Sequence, residues 1–152
     1  MSLHTGSRSE SDLSTEELVH LHSFLQQNFP LVFEESPHVE RRYVNTHSIL
    51  LRVQGSRAGG QPYLLAAHLD VVPAGDLDRW RDGLDPFLGE VVEQDGDSFI
   101  FGRGAIDDKH SVVGILLALE SVLAGGGQPQ RTLYVAFGHD EEVSWVAPPC
   151  AV

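Results

Sequence analysis

The succession of apolar segments between residues 63 and 137 limits the fold of this 152-residue chain more than any other feature. Tyr63–His68 and Thr132–Phe137 are short apolar runs with β character, whereas residues 108–123 have the length and pattern of a helix. A strand, a helix and a second strand in this order are typical of layered α/β folds. We therefore predict an α/β domain, in which both strands are buried.

Local signals predict the remaining elements. These are a helix over 15–28, one or two strands over 39–54, a loop over 73–96 and a strand over Ser98–Phe101. Ser14 and Glu17 fit a capping box at the start of the first helix, and Pro30 follows its end. Because apolar residues lie almost all round the 108–123 helix, we expect that helix to be well buried.

The chain has 22 acidic and 10 basic residues and a formal net charge of -12 with neutral histidines. Such a surface repels a phosphate backbone, which excludes nucleic acid as a partner, and it offers no polybasic membrane anchor. The longest apolar run, Val112–Leu119, is too short for a membrane span. Residues 1–14 lack the apolar core of a signal peptide, so no export signal is expected and the compartment stays open. Cys150 is the only cysteine and forms no intrachain disulfide.

Three polar clusters each follow a predicted strand, and the first is His68-Leu69-Asp70. Residues two apart on a strand point to the same face, so this imidazole and this carboxylate project together. One of them can bind a metal ion while the other orients it or binds nearby. The alternative is that both side chains satisfy backbone groups at the end of the strand.

The other two clusters are Gly102–Lys109 and Asp140-Glu141-Glu142. The glycines of the second cluster allow a tight passage from strand to helix, and an N-cap at Asp107 or Asp108 explains its acids equally well. Three acids in a loop are usually solvated surface. After an apolar strand, however, the third cluster would lie at the carboxyl edge of the sheet, where open α/β sheets bind ligands.

If the three strands lie side by side, one histidine and several carboxylates converge on one rim. Two carboxylates a few ångströms apart repel each other by roughly 1–4 kcal/mol, depending on the local dielectric. A divalent cation converts that repulsion into binding. Nitrogen and oxygen ligands without a thiolate suit Zn²⁺, with Mn²⁺ or Co²⁺ as alternatives.

The motifs HLDVVPAG, GRGAIDDK and GHDEE together resemble the M20 family of dinuclear zinc peptidases and amidohydrolases, over about residues 15–144. The stretches QPYLLAAHLDVVPA, FGRGAIDDKHSV and FGHDEE are most similar to a branch whose members hydrolyse and form N-fatty-acyl amino acids. The resemblance implies a zinc-peptidase-like catalytic domain with a mixed sheet and flanking helices. It also implies two Zn²⁺ ions and a small-molecule amide substrate, either an N-acyl amino acid or a peptide.

The resemblance further implies roles for five residues. His68 matches a ligand of one zinc ion, Glu142 matches a ligand of the other, and Asp107 matches the carboxylate that bridges the two. Asp70 matches the acid that orients the site, and Glu141 matches the general base. The chemistry implied is hydrolysis of an amide by a water molecule that the base deprotonates. The peptide bond that follows Asp107 is expected to be cis. Structural roles are expected for Asp108, Lys109 and Asp140.

The sequence departs from the family pattern after Glu142, where Val143-Ser144 is followed by Trp145 instead of glycine. We therefore expect a flexible leader over 1–14, the N-terminal part of the catalytic domain over 15–144 and an unrelated tail over 145–152. With that division, a further acidic ligand, a histidine ligand and the dimerising lid domain are absent. His20 and His22 are expected at the surface rather than as replacement ligands.

Two functions therefore compete. The first is the zinc-dependent hydrolysis of amide bonds that the family resemblance implies. On this hypothesis the chain is inactive alone and binds Zn²⁺ weakly or partially. The second is a non-catalytic truncated isoform or binding fragment. An acidic binding module unrelated to catalysis is a third, less favoured interpretation. An uncovered apolar edge beside the last predicted strand is expected to make the chain poorly soluble.

Overall fold

Two helices and six strands make up residues 15–80 and 83–143, which the computed structural model describes. The helices are α1 (Thr15–Asn28) and α2 (His110–Ala124), and the strands are β1 (Val39–Val44), β2 (Ser48–Val53), β3 (Tyr63–His68), β4 (Glu90–Gln94), β5 (Asp97–Phe101) and β6 (Leu133–Gly138). Neither of these helices is long and apolar enough to cross a membrane. The predicted leader, 1–14, and tail, 145–152, lie outside the described residues. The predicted α/β class is confirmed.

β1, β2, β6 and β3 form one mixed sheet in that order, and only the β6–β3 pair is parallel. The connection from β3 to β6 contains α2, as expected for parallel neighbours, which need a long crossover. His68, the last residue of β3, is level with Gly138 at the end of β6. The residues that follow these two strands therefore emerge side by side at the carboxyl edge of the sheet.

β4 and β5 form a separate antiparallel hairpin, and this corrects two expectations. The predicted loop over 73–96 contains β4, because Asp95 and Gly96, both with positive φ, supply the tight turn that a two-residue hairpin needs. The cluster after β5 also does not follow a strand of the main sheet. It reaches the sheet edge through the turn Ala105–Lys109, which leads directly into α2.

β3 is an edge strand of the main sheet, so the prediction that it is buried is wrong. Leu64 is 61% exposed and Leu65 is 39% exposed. The reason is that no strand of the described residues pairs with the outer side of β3. β6 lies between β2 and β3, so the uncovered edge is beside β3 and not beside the last strand, as the sequence predicted.

The core lies on one face of the sheet, beneath both helices. It contains alternate residues of β2 and β6 together with one face of each helix: Ile49, Leu51, Val53, Leu133, Val135, Phe137, Leu18, Leu21, Leu25, Val112, Leu116 and Leu119. Full burial of each large aliphatic side chain contributes about 1.5–3 kcal/mol. The outer face of α2 exposes Val113, Leu117 and Val122. The prediction of a well-buried helix is therefore wrong, because α2 packs on the sheet through one side only.

A carboxylate on α2 fixes the turn that follows α1. The two oxygens of Glu120 accept hydrogen bonds from the backbone N–H groups of Leu31 and Val32, at 3.0 and 3.1 Å. These N–H groups open the turn Leu31–Glu35, where the first donors of a helical turn have no partner of their own. Glu120 thereby holds the end of α1 against α2.

Three histidines from different elements meet near the β1–β2 turn. His22 of α1 is only 8% exposed and its Nε2 lies 2.8 Å from the backbone oxygen of His47, so the prediction of a surface His22 is wrong, whereas His20 is exposed. The rings of His47 and His139 are 5.5 Å apart, and Nδ1 of His139 lies 2.6 Å from Oγ of Ser48. Burial lowers the pKa of His22 and that of His47, which favours their neutral forms.

Candidate metal centre

His68 stands at the end of β3 with both ring nitrogens facing acceptors. Its Nδ1 is 3.1 Å from the backbone oxygen of Asp70 and 3.4 Å from that residue's carboxylate. Its Nε2 is 2.9 Å from a carboxylate oxygen of Asp107 and 3.8 Å from one of Glu141. Contacts at Nδ1 fix the ring so that Nε2 points towards the acids.

The surroundings of His68 favour its protonated form. Burial by itself lowers the pKa of His68, but the hydrogen bond to Asp107 and the charges of Asp70 and Glu141 outweigh burial. The net result is a pKa above the ordinary value for histidine. A cation that binds Nε2 therefore has to displace a proton that the neighbouring carboxylates hold in place.

Asp70 is the buried centre of the site. Its side chain is fully shielded from solvent. Its two oxygens accept hydrogen bonds from the backbone N–H groups of Glu141, at 3.2 Å, and Glu142, at 3.1 Å. The same carboxylate faces Nδ1 of His68. Asp70 thus joins the residue after β3 to the turn Glu141–Val143 after β6. The sequence predicted the proximity of Asp70 and His68, but carried no signal for the two backbone contacts.

One potential ligand atom each from His68, Asp107 and Glu142 lies within 4.8 Å of the other two. The three predicted metal ligands therefore do come together, and Glu141 approaches them from the same turn. Among residues 15–80 and 83–143, no other group of three histidine, cysteine or acidic side chains meets this spacing.

This donor set fits a zinc ion. Zinc takes nitrogen and oxygen ligands at about 2 Å, so atoms that bind one ion lie at most about 4 Å apart. The side chain of Asp107 is largely exposed, and one of its oxygens already lies 2.9 Å from Nε2 of His68. Catalytic zinc sites use three protein ligands, and His68, Asp107 and Glu142 would supply that number.

Asp107 belongs to an irregular segment that links the β4–β5 hairpin to α2. Its backbone is extended, with φ -133° and ψ 95°, and the peptide bond between Asp107 and Asp108 is cis, as predicted. Asp108 lies 3.7 Å from the ring of His110, and Asp140 lies 3.8 Å from the ring of His139. The structural roles expected for the two aspartates stay predictions.

Lys109 lies behind the ligand cluster and contacts the loop after β3. Its Nζ donates a hydrogen bond to the backbone oxygen of Leu69 at 2.9 Å. Burial lowers the pKa of Lys109 to about 8, although the charges of Asp70 and Glu142 act in the opposite direction. Sequence analysis placed Lys109 in the motif but missed this contact, because it joins residues 40 positions apart.

Gly104 lies against the same lysine and allows this close packing. It has φ +80°, and a Cβ atom there would lie 2.6 Å from Cγ1 of Val71 and 3.3 Å from Nζ of Lys109. Glycine is the one residue that meets both requirements without strain. The glycines of the GRG segment therefore have a steric reason beyond the predicted tight passage.

Comparison with known proteins identifies the family and the fold of this chain. The family described as Peptidase family M20/M25/M40 matches residues 64–149. An N-fatty-acyl-amino acid synthase/hydrolase of Danio rerio is 44% identical over 140 residues, 92% of this chain and 26% of that protein. A probable carboxypeptidase S-like protein of Dictyostelium discoideum is 38% identical over 138 residues, 91% of this chain and 25% of that protein. Human carnosine dipeptidase 1 shares the fold, with a TM-score of 0.67 at 22% identity, over 95% of this chain and 31% of its own.

A mixed sheet whose carboxyl edge gathers an imidazole and several carboxylates makes this a layered α/β domain with a candidate metal centre at that edge. The chain belongs to peptidase family M20/M25/M40. The resemblance that the three motifs predict is thereby confirmed. The chain spans about a quarter of the length of the curated relatives it matches.

Proposed function

We propose that residues 15–144 form part of the catalytic domain of a zinc-dependent amide hydrolase and hold one of its metal positions. The observation that carries this proposal is the convergence of His68, Asp107 and Glu142 within 4.8 Å around a buried, fully bonded Asp70. Solvated surface acids have no reason to be held by a buried carboxylate in this way.

The five residues have three different parts in this proposal. His68, Asp107 and Glu142 hold the ion, and Asp70 keeps the ring of His68 and the backbone of the 141–143 turn in place. When bound, zinc supplies Lewis acidity towards a carbonyl oxygen and towards water. The carboxylate of Glu141 is exposed and 3.8 Å from Nε2 of His68, so it would be placed to accept a proton from a water molecule beside the ligand cluster.

The proposed substrate is a small amide, either an N-acyl amino acid or a peptide. Support comes from the relatives, which include an N-fatty-acyl-amino acid synthase/hydrolase and a probable carboxypeptidase. A carboxylate base beside a Lewis acid is suited to attack on an amide carbonyl in both cases.

We further propose that these residues alone bind zinc weakly and do not turn over an amide. The described residues contain a single group of three candidate ligands, whereas the family chemistry uses two ions. A non-catalytic role as a metal-binding fragment is the second candidate, and the same single group favours it.

Zinc titration of the full 152-residue chain by calorimetry tests the metal position. We expect one weak site that His68→Ala removes, whereas His20→Ala, which alters an exposed histidine away from the cluster, leaves it unchanged. Two tight sites, or zinc binding that His68→Ala does not alter, would contradict the proposal.

An assay with N-acyl amino acids and dipeptides tests the proposal that these residues alone do not hydrolyse an amide. We expect no hydrolysis above the background of a Glu141→Ala variant. Turnover that chelation removes, zinc restores and Glu141→Ala abolishes would show that the chain is a complete enzyme.

A further inference from the structure

Lys109 is the only lysine in the chain, and it is half-buried beside the candidate metal centre. Its Nζ donates a hydrogen bond to the backbone oxygen of Leu69 at 2.9 Å. Leu69 directly follows His68, and Asp107 lies two residues before Lys109. This hydrogen bond therefore connects the two segments that supply the His68 and Asp107 ligands.

Leu69 is a fixed point for the hydrogen bond from Lys109. The backbone N–H of Leu69 donates to the backbone oxygen of Gly138 in β6 at 2.7 Å, and Leu69 belongs to the buried core. The backbone of Leu69 is thus bonded on one side to the sheet and on the other to the segment that contains Asp107. Movement of that segment away from the sheet has to break the hydrogen bond from Lys109.

Asp107 itself is held less firmly than Leu69. Its side chain is 72% exposed, and its segment, Ala105–Lys109, belongs to neither sheet. The carboxylate of Asp107 contacts Nε2 of His68 at 2.9 Å, but a metal ion at Nε2 replaces that contact, because the nitrogen cannot donate a proton and bind the ion together. The hydrogen bond from Lys109 uses no candidate ligand atom, so the ion does not compete for it.

We propose that Lys109 is a positioning residue, which keeps the carboxylate of Asp107 within reach of an ion bound to His68. This inference rests on the metal position proposed above. The ammonium group of Lys109 also lies close enough to Asp70 and Glu142 to interact with their charges. A positive charge beside a cation site opposes cation binding. The hydrogen bond and the charge of Lys109 therefore have opposite effects on zinc affinity, and the sign of the change on removal of Lys109 separates them.

Zinc calorimetry on the full chain with Lys109→Met determines that sign. Methionine is unbranched and adapts to irregular gaps, but it donates no hydrogen bond. We expect zinc affinity to fall by about 10–100-fold, as it does on loss of other groups that hold a metal ligand in place. Arg57→Met removes an equal charge from the exposed loop before β3, at the opposite end of that strand, and should leave zinc affinity unchanged. An affinity of Lys109→Met equal to or higher than that of the wild type would overturn the proposal.

Chemical rescue separates the role of the ammonium group from a general loss of packing. Lys109→Cys in a Cys150→Ser background leaves one thiol in the chain. Alkylation of the unfolded chain with 2-bromoethylamine, followed by refolding, restores an ammonium group on a side chain of lysine's length, whereas iodoethane adds an ethyl group without a donor. We expect the first product to recover most of the zinc affinity and the second to recover none. Equal zinc affinity of the two products, with circular dichroism showing that both are folded, would refute the role of Lys109.

Hydrogen exchange in the metal-free chain distinguishes failure of this inference from failure of the proposed function. The backbone N–H groups of Ala105 and Lys109 are hydrogen-bonded within their own segment, and they should exchange faster in Lys109→Met than in the wild type, whereas those of β6 should not. Unchanged exchange in the segment would refute the positioning role even where zinc binds. Faster exchange in a chain that binds no zinc, or binds it independently of His68, would refute the metal centre and leave Lys109 with a structural contact only.

Discussion

Replacing Asp70 by asparagine tests whether this buried carboxylate organises the site. Asparagine has nearly the same shape, but it has one acceptor oxygen instead of two and carries no charge. One of the N–H groups of Glu141 and Glu142 then faces an NH₂ donor, and the other loses a charged acceptor. Hydrogen bonds to charged groups contribute about 1.5–3 kcal/mol, so we expect Asp70→Asn to lower the free energy of unfolding by about 2–4 kcal/mol.

In a chain of this size, that loss corresponds to a decrease in Tm of roughly 5–15 °C. Because the charged carboxylate 3.4 Å from Nδ1 of His68 becomes a neutral amide, zinc affinity should fall by about 10–100-fold. Urea unfolding and zinc calorimetry measure the two effects. Asp97→Asn, on the exposed hairpin, removes the same charge and should change stability by less than about 0.5 kcal/mol. An Asp70→Asn variant that matches Asp97→Asn in both assays would refute the organising role of Asp70.

Three further predictions concern the surrounding fold. Gly104→Ala should lower the free energy of unfolding by about 1–3 kcal/mol in urea, because its Cβ would contact Val71 at 2.6 Å and its φ is positive; an unchanged midpoint would contradict this. Since burial lowers the pKa of His22, the unfolded chain binds that proton more readily, and stability should fall as the pH decreases below about 6.5. His22→Gln should make that decrease less steep than in the wild type, and identical slopes would disprove the assignment. Leu64→Lys on the uncovered edge strand should reduce self-association in sedimentation experiments, which the equally charged Leu88→Lys should not.

The elements around the metal centre could be predicted from sequence because their signals are local. Periodicity placed α1 at residues 15–28 and β3 at residues 63–68, and a polar cluster directly after each predicted strand marked His68 and Glu142. Their convergence needed one further assumption, that the two strands are neighbours, and the parallel pairing of β3 with β6 satisfies it. The motifs added Asp107, whose position depends on no strand of the main sheet.

Burial could not be predicted from the sequence, because it depends on which elements lie nearby in space. The apolar pattern of β3 predicts burial, but Leu64 is exposed because the neighbouring position in the sheet is not filled by any described residue. α2 has apolar residues on all sides, but only one side of the helix is buried, because only that side packs on the sheet. The buried His22 also escaped prediction, since the backbone oxygen that bonds it belongs to His47, 25 residues away.

The contacts of Asp70 also bear on when the candidate metal centre forms during synthesis. Its two backbone partners lie 71 and 72 residues further along the chain, so synthesis produces the carboxylate long before the groups that satisfy it. The entropic cost of closing such a loop grows only slowly with its length. The contact nevertheless requires the whole intervening segment to be made first. A nascent chain that ends before residue 142 therefore lacks one or both of the N–H groups that satisfy this carboxylate in the folded protein. Formation of the site is thus a late event that marks the docking of β6 beside β3.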